Sequence, residues 1–121
     1  GIVVGYEIGR QLSTKTIFAE RINNKLVLRR DFEIEKNANV LIVEDVITTG
    51  RSALECAELV KKHQSNTLGY SCIIDRSNNN CLIKEEIISQ IKIQIDTFKK
   101  NDLPEKLRNI DPIKPGSRNI T

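Results

Sequence analysis

Residues 40 to 52 constrain this chain more than any other stretch: Val-Leu-Ile-Val-Glu-Asp-Val-Ile-Thr-Thr-Gly-Arg-Ser. Val40 to Val43 form an unbroken apolar run. Such a run predicts a strand buried on both faces, in the middle of a parallel sheet. Glu44 and Asp45 stand where that strand should end, a Thr48-Thr49-Gly50 turn follows, and a helical stretch opens at Ser52. That order places carboxylates and backbone N–H donors at the carboxyl edge of the sheet, where open α/β sheets bind their ligands.

The flanks supply the rest of an α/β fold. Val4, Ile8 and Leu12 share one stripe, predicting a helix over Ile2 to Leu12. Gly1, Gly5 and Gly9 leave another face of it bare, suited to close packing on a sheet. Glu7 and Arg10 interrupt the apolar stretch and argue against a membrane-dimer reading of that spacing. Strands are expected at Thr16 to Ala19 and Leu26 to Arg29, separated by a polar, turn-rich segment from Glu20 to Lys25. Ser52 with Glu55 reads as a capping box for a helix reaching about His63, with Ala53, Cys56, Ala57 and Val60 facing inward. A strand over Leu68 to Ile74 ends at Asp75-Arg76, and Ser77 to Asn80 form a polar loop. Ile83 to Ser89 suggests a short helix, and the alternation of Ile91, Ile93 and Ile95 places a further strand at Lys92 to Thr97. The tail from Lys99 reads as loop. Strands alternating with helices imply a twisted, mostly parallel sheet flanked by helices.

Composition narrows the function. A chain of 121 residues has room for one domain with a modest core. The net charge of +3 comes without a dense basic stripe or interleaved aromatics, so nucleic acid is not an expected partner. No apolar run approaches the ~20 residues that cross a bilayer, so no membrane role is expected. Cys56, Cys72 and Cys81 are odd in number and lack metal-ligand spacing, which fits free thiols in a reducing, cytoplasmic setting. Asn119-Ile120-Thr121 matches a glycosylation pattern that carries no meaning in such a compartment. The single histidine, His63, falls near a helix end and reads as a helix-end cation rather than an acid–base group.

Glycine-rich nucleotide loops are absent: neither G-x-G-x-x-G nor a Walker lysine occurs. Val46 to Ser52 is therefore a different kind of phosphate turn. Its donors would be backbone amides and the hydroxyls of Thr48, Thr49 and Ser52, at the start of a helix whose dipole favours an anion. Gly50 permits the conformation such a turn needs. Adjacent carboxylates repel and want hydroxyls or cations nearby. Together these groups suit a sugar phosphate.

The whole block resembles the phosphoribosyl diphosphate (PRPP) motif of the type I phosphoribosyltransferases: apolar residues, two acids, then a Thr/Gly loop. Within that family, Gly5-Tyr6-Glu7-Ile8-Gly9-Arg10-Gln11-Leu12, Ile17-Phe18-Ala19-Glu20-Arg21, Leu28-Arg29-Arg30, Ile74-Asp75-Arg76-Ser77 and Lys114-Pro115-Gly116-Ser117-Arg118 are similar to the orotate-specific branch. The resemblance implies an enzyme of pyrimidine synthesis. Glu44 and Asp45 would hold the ribose hydroxyls of PRPP, and Val46, Ile47, Thr48, Thr49, Gly50, Arg51 and Ser52 would cradle its 5-phosphate. Thr48 and Arg76 are similar to orotate-binding positions. Asp45, Arg21 and Lys25 would be the catalytic set, with Arg21 and Lys25 on a mobile loop that reaches the partner's site in a homodimer. Mg²⁺ is implied as cofactor, held mainly through PRPP with no direct protein ligand.

Two departures accompany the resemblance. Asp31 replaces an expected glycine after Arg29 and Arg30, of which a strand would turn at most one toward a given site. The family's pyrophosphate loop has no counterpart after Gly1, so residues 1 to 121 are expected to be the carboxyl-terminal portion of the domain. Transfer to a purine or another base, and a non-catalytic PRPP-binding regulator, stay open as alternatives at this level.

Overall fold

A computed structural model describes residues 1–78, 81–96, 98–111 and 113. The elements run α1 (Ile2–Gln11), β1 (Ala19–Ile22), β2 (Lys25–Leu28), β3 (Asn39–Ile47), α2 (Arg51–Lys62), β4 (Asn66–Asp75) and β5 (Ile87–Lys92). Short 3-10 turns at Lys100–Asp102 and Glu105–Leu107 follow. β3, β4 and β5 form a parallel sheet in that order, while β1 and β2 form a separate antiparallel hairpin. The expected α/β class with a mostly parallel sheet is the observed one.

α2 covers one face of the sheet. Ile42, Ile47, Ala53, Tyr70, Cys72 and Ile83 form the core, with Leu54, Cys56, Ala57, Cys81 and Ile87 packed around it. Small residues on the inward face of α2 let the helix lie close, and Ala53 is 1% exposed. α1 lies against the end of β3 and the 14–16 segment. A Cβ on Gly9 would stand 1.8 Å from Thr16 Oγ1 and 3.1 Å from the Thr14 carbonyl, and one on Gly1 would meet Glu44 Oε2 at 2.9 Å. The bare glycine face is thus used for close approach, as its spacing predicts.

Several elements differ from the sequence expectation, each because a longer-range partner decides. Val40 to Val43 is not a central strand: β4 occupies the middle, and β3 has a paired strand on one side only among the described residues. Accordingly Ile42 is buried while Val40, Leu41 and Val43 are half-buried. β3 also runs on to Ile47, because Val46 pairs with Ile74 and Ile47 with Asp75. Glu44 and Asp45 therefore lie within the strand rather than beyond its end.

The segment expected as a turn-rich loop from Glu20 to Lys25 is a tight hairpin. Asn23 and Asn24 have φ of 47° and 61°, the pair of left-handed residues that a two-residue hairpin turn requires. They fix Ile22 opposite Lys25 and shift the first strand from the expected Thr16 to Ala19 to Ala19–Ile22. β2 ends at Leu28, so Arg29 and Arg30 do not alternate across a strand; both reach Glu20, at 3.8 and 3.2 Å. Arg30 also sits 5.8 Å over the Phe18 ring, which meets Phe32 edge-on at 5.0 Å. Arg30 and Asp31 adopt φ of 60° and 57°, which is why glycine suits position 31 and why a short polar side chain is tolerated there.

No helix forms over Ile83 to Ser89. Ile83 is drawn into the core, and β5 begins at Ile87 to pair with Tyr70. The strand expected at Lys92 to Thr97 thus lies earlier in the chain, at Ile87–Lys92; Thr97 itself, like Asn79 and Asn80 of the polar loop and the segment 114–118, lies outside the described residues. The capping box is also unused: α2 starts at Arg51 behind Gly50, with no side-chain cap.

These contacts predict opposite outcomes for two glycines. Gly9→Ala should lose about 1–3 kcal/mol through overpacking. Gly69→Ala, with nothing within 4 Å of its Cβ position, should stay within about 0.5 kcal/mol of wild type. Urea unfolding of both variants checks this; equal stabilities would contradict the placement of α1.

Candidate active site

The turn after β3 is built by tying down its carbonyls. Arg76 N–H donates to Ile47 C=O at 2.8 Å, Leu82 N–H to Thr49 C=O at 2.9 Å, and Leu54 N–H to Gly50 C=O at 2.9 Å. Gly50 has φ +75°, and a Cβ there would stand 2.7 Å from Ile83 Cγ1 and 3.3 Å from Cys81 Sγ. Only glycine fits both the conformation and the space. With the carbonyls occupied, the amides of Thr48, Thr49, Gly50 and Ser52 have no acceptor among the described residues. Arg51 N–H makes a long contact of 3.5 Å to Thr49 Oγ1.

These donors border an open hollow of about 270 Å³ whose wall is the continuous stretch 44–53. Thr48, Thr49 and Ser52 are exposed there. The hollow sits at the amino end of the 12-residue helix α2. Successive unbonded amides at a helix start attract an anion of phosphate size through both hydrogen bonding and the helix dipole.

The opposite end of the wall is acidic. Glu44 is half-buried, and burial pushes its carboxyl up, with Asp45 adding to that. At Asp45, which is exposed, burial acts to raise the carboxyl and the Val46 N–H, donating to Oδ1 at 3.0 Å, acts to lower it. The neighbours therefore divide: Asp45 is exposed and bound by an amide, and Glu44 holds a proton more readily. Among the described residues no three His, Cys, Asp or Glu side chains converge on one point. A divalent ion at this hollow would need oxygens from a ligand as well as from Glu44 or Asp45.

The profile of the phosphoribosyl transferase domain matches residues 4–107. The chain belongs to this family. It is 42% identical over 120 residues to an orotate phosphoribosyltransferase of Caldanaerobacter subterraneus subsp. tengcongensis, covering 99% of this chain and 63% of that relative. It is 38% identical over 120 residues to an orotate phosphoribosyltransferase of Maricaulis maris, covering 99% of this chain and 62% of that one. The chain thus spans under two thirds of the length of these curated relatives.

In this phosphoribosyltransferase domain, the positions singled out in the sequence fall into separate places. Glu44 through Ser52 form one wall. Arg76 is joined to its base through Ile47 but does not line the hollow. Its Nε is buried and has no hydrogen-bond partner among the described residues. Arg21 and Lys25 lie on the β1–β2 hairpin and do not line the hollow either. Arg21 contacts Glu55 of α2, an acid with capping-box spacing, and the Asn24 carbonyl, so the segment expected as a loop is a hairpin in this structure. His63 caps the far end of α2, about 18 Å from the hollow along the helix axis. No helix among the described residues is long and apolar enough to cross a membrane.

Sequence reasoning missed Asp75, a carboxylate 2% exposed. It accepts the Ser77 N–H at 2.7 Å and pairs with Lys92 Nζ at 3.5 Å. Burial would raise it, but Ser77 and Lys92 together hold it below the usual carboxylate range. The only signal in the sequence was its position before Arg76.

Because the folded value lies below the unfolded value of about 3.9, Asp75 contributes stability above that pH and loses it as pH falls through the folded value. The stability difference between wild type and Asp75→Asn should therefore be full at pH 6 and shrink below about pH 4. Denaturant midpoints across that range measure it. A difference unchanged down to pH 3 would show that Asp75 is not held as an anion.

Proposed function

We propose that this chain carries the PRPP and orotate sites of an orotate phosphoribosyltransferase. The reaction moves the 5-phosphoribosyl group from PRPP to orotate, giving orotidine 5-monophosphate and pyrophosphate, in de novo pyrimidine synthesis. One observation carries the reading: a single stretch, 44–53, joins two carboxylates to a row of unbonded amides around one hollow. A ribose 5-phosphate is a molecule with hydroxyls at one end and a dianion at the other. The likeness to two orotate phosphoribosyltransferases, at 42% and 38% identity, supports the choice of family member.

The chemistry follows from where charge develops. Breaking the bond from the anomeric carbon to pyrophosphate builds positive charge on the ring and negative charge on the leaving group. Anionic Asp45, beside the ribose, favours the cationic ring and fixes a hydroxyl. The Thr48 to Ser52 amides and hydroxyls hold the 5-phosphate, which orients the sugar for in-line attack. The orotate ring nitrogen supplies the electron pair for the new bond, so no protein nucleophile is required. Arg76, with a buried Nε lacking a partner among the described residues, suits the orotate carboxylate or carbonyl, because a guanidinium donates as a fork. Thr48, at the junction of the turn, would complete that contact. Bound Mg²⁺ would supply charge neutralisation for pyrophosphate, held through PRPP oxygens. Arg21 and Lys25 would serve the same anion from the hairpin, across the boundary of a homodimer, in a cytoplasmic enzyme.

The test is turnover by the full gene product with orotate against adenine, hypoxanthine and uracil, with and without Mg²⁺. Orotate alone should be converted, and only with the ion present. Asp45→Asn should lower kcat/KM for PRPP about 30- to 100-fold, as expected for one charge-assisted hydrogen bond of ~2–3 kcal/mol. Unchanged turnover of Asp45→Asn at low PRPP would reject the ribose role, and preference for a purine would reject the orotate assignment.

A further inference from the structure

Asp75 is a buried charge at the end of the central strand. It ends β4, between Ile47 of β3 and Lys92 of β5, and is in register with both. Its backbone is clamped on each side: Arg76 N–H donates to Ile47 C=O at 2.8 Å, and Ile93 N–H to Asp75 C=O at 2.9 Å. The carboxylate adds something the ladder cannot, because it reaches past Arg76 to take the Ser77 N–H at 2.7 Å. Lys92 Nζ neutralises the other oxygen at 3.5 Å. Ser77 is itself 9% exposed.

The chain thus loops around Arg76 with both neighbours fixed: Asp75 by burial and by the strand ladder, Ser77 by Asp75. The residue so enclosed carries a buried Nε without a hydrogen-bond partner among the described residues. Leaving a guanidinium donor unpaired inside a protein is costly, so the arrangement is stable only if the surroundings dictate where that side chain stands. A carboxylate bridging residues 75 and 77 does this by fixing the backbone on both sides of residue 76.

We infer that Asp75 is a positioning residue: through the Ser77 amide it sets the backbone from which Arg76 presents its guanidinium to the orotate carboxylate or carbonyl. Lys92 is the counter-charge that keeps Asp75 ionised without competing for the Ser77 amide. The inference rests on the orotate reading of Arg76 for its kinetic consequence, and on the structure alone for its geometric one.

Two measurements on the full gene product test it. The first is the orotate and PRPP KM of Asp75→Ala and Asp75→Asn. The second is the ligand-free NMR signal of the Arg76 Nε–H, assigned by its loss in Arg76→Lys. Asp75→Ala should raise the orotate KM about tenfold while the PRPP KM stays within about twofold, and should shift the Arg76 Nε–H signal and speed its solvent exchange. Asp75→Asn keeps a carbonyl oxygen for the Ser77 amide and should bring both readouts most of the way back. Should Asp75→Ala fail to fold, Ser77→Pro removes the amide that Asp75 accepts while the carboxylate stays paired with Lys92, and should show the same selectivity for orotate. Equal rises in both KM values, no recovery in Asp75→Asn, or an Arg76 signal indifferent to Asp75 would overturn the positioning role. Absence of orotate turnover by the wild type would sink the proposed function instead, and the ligand-free Arg76 signal would still decide this one.

Discussion

The hydrogen bonds that occupy the carbonyls of Ile47, Thr49 and Gly50 are the constraint on which the site depends. A turn of ordinary residues would use its amides and carbonyls on each other. Here Arg76, Leu82 and Leu54 approach from three different directions in the fold and take the carbonyls. The amides that remain cannot fold back on their own chain, and an anion is the partner that answers them. The site is thus a by-product of packing: the end of β4, the segment before Ile83 and the first turn of α2 must all be in place before the hollow exists.

The same stretch separates charge along its length. Amides and the start of α2 make one end positive, and Glu44 and Asp45 make the other negative. Adjacent carboxylates would weaken each other if both were alike. Their surroundings differ, because burial raises Glu44 whereas Asp45 is exposed and accepts the Val46 amide. Pushing apart the pKa values of neighbouring groups is a recurrent way to give them distinct roles. Asp45 is suited to stabilise a cationic sugar ring, and Glu44 to accept or donate a hydrogen bond with less electrostatic cost.

What could be read in the sequence was what is local. The wall of the hollow is one uninterrupted segment, so its residue types and order are visible together in the chain. α1, α2 and β4 were legible for the same reason, since each carries its own periodicity. The errors fall where a distant partner outweighs a local preference. Ser52 and Glu55 have capping-box spacing, but Gly50 starts the helix in a left-handed conformation and Arg21 claims Glu55. Ile83 to Ser89 has helical composition, yet Ile83 is needed beneath Gly50 and Ile87 pairs with Tyr70. Val40 to Val43 reads as a central strand by hydrophobicity, and hydrophobicity cannot say on how many sides a strand is paired. Glu20 to Lys25 reads as turn-rich, but the register set within it depends on Asn23 and Asn24 both having positive φ, which no pattern of apolar residues encodes.

The two halves of the proposed reaction share a joint in the fold. The proposed phosphoribosyl half lies on a ten-residue wall from 44 to 53, whose carbonyls are held by Arg76, Leu82 and Leu54. The proposed base half depends on Arg76, whose placement draws on β3 through Ile47, on β5 through the Asp75–Lys92 pair and on the chain beyond through Ser77. The bond from the Arg76 N–H to the Ile47 C=O belongs to both. A shift at the end of β4 therefore moves the guanidinium and loosens the turn together, and Asp75, with no group of its own in the wall, is a residue through which such a shift would act on both.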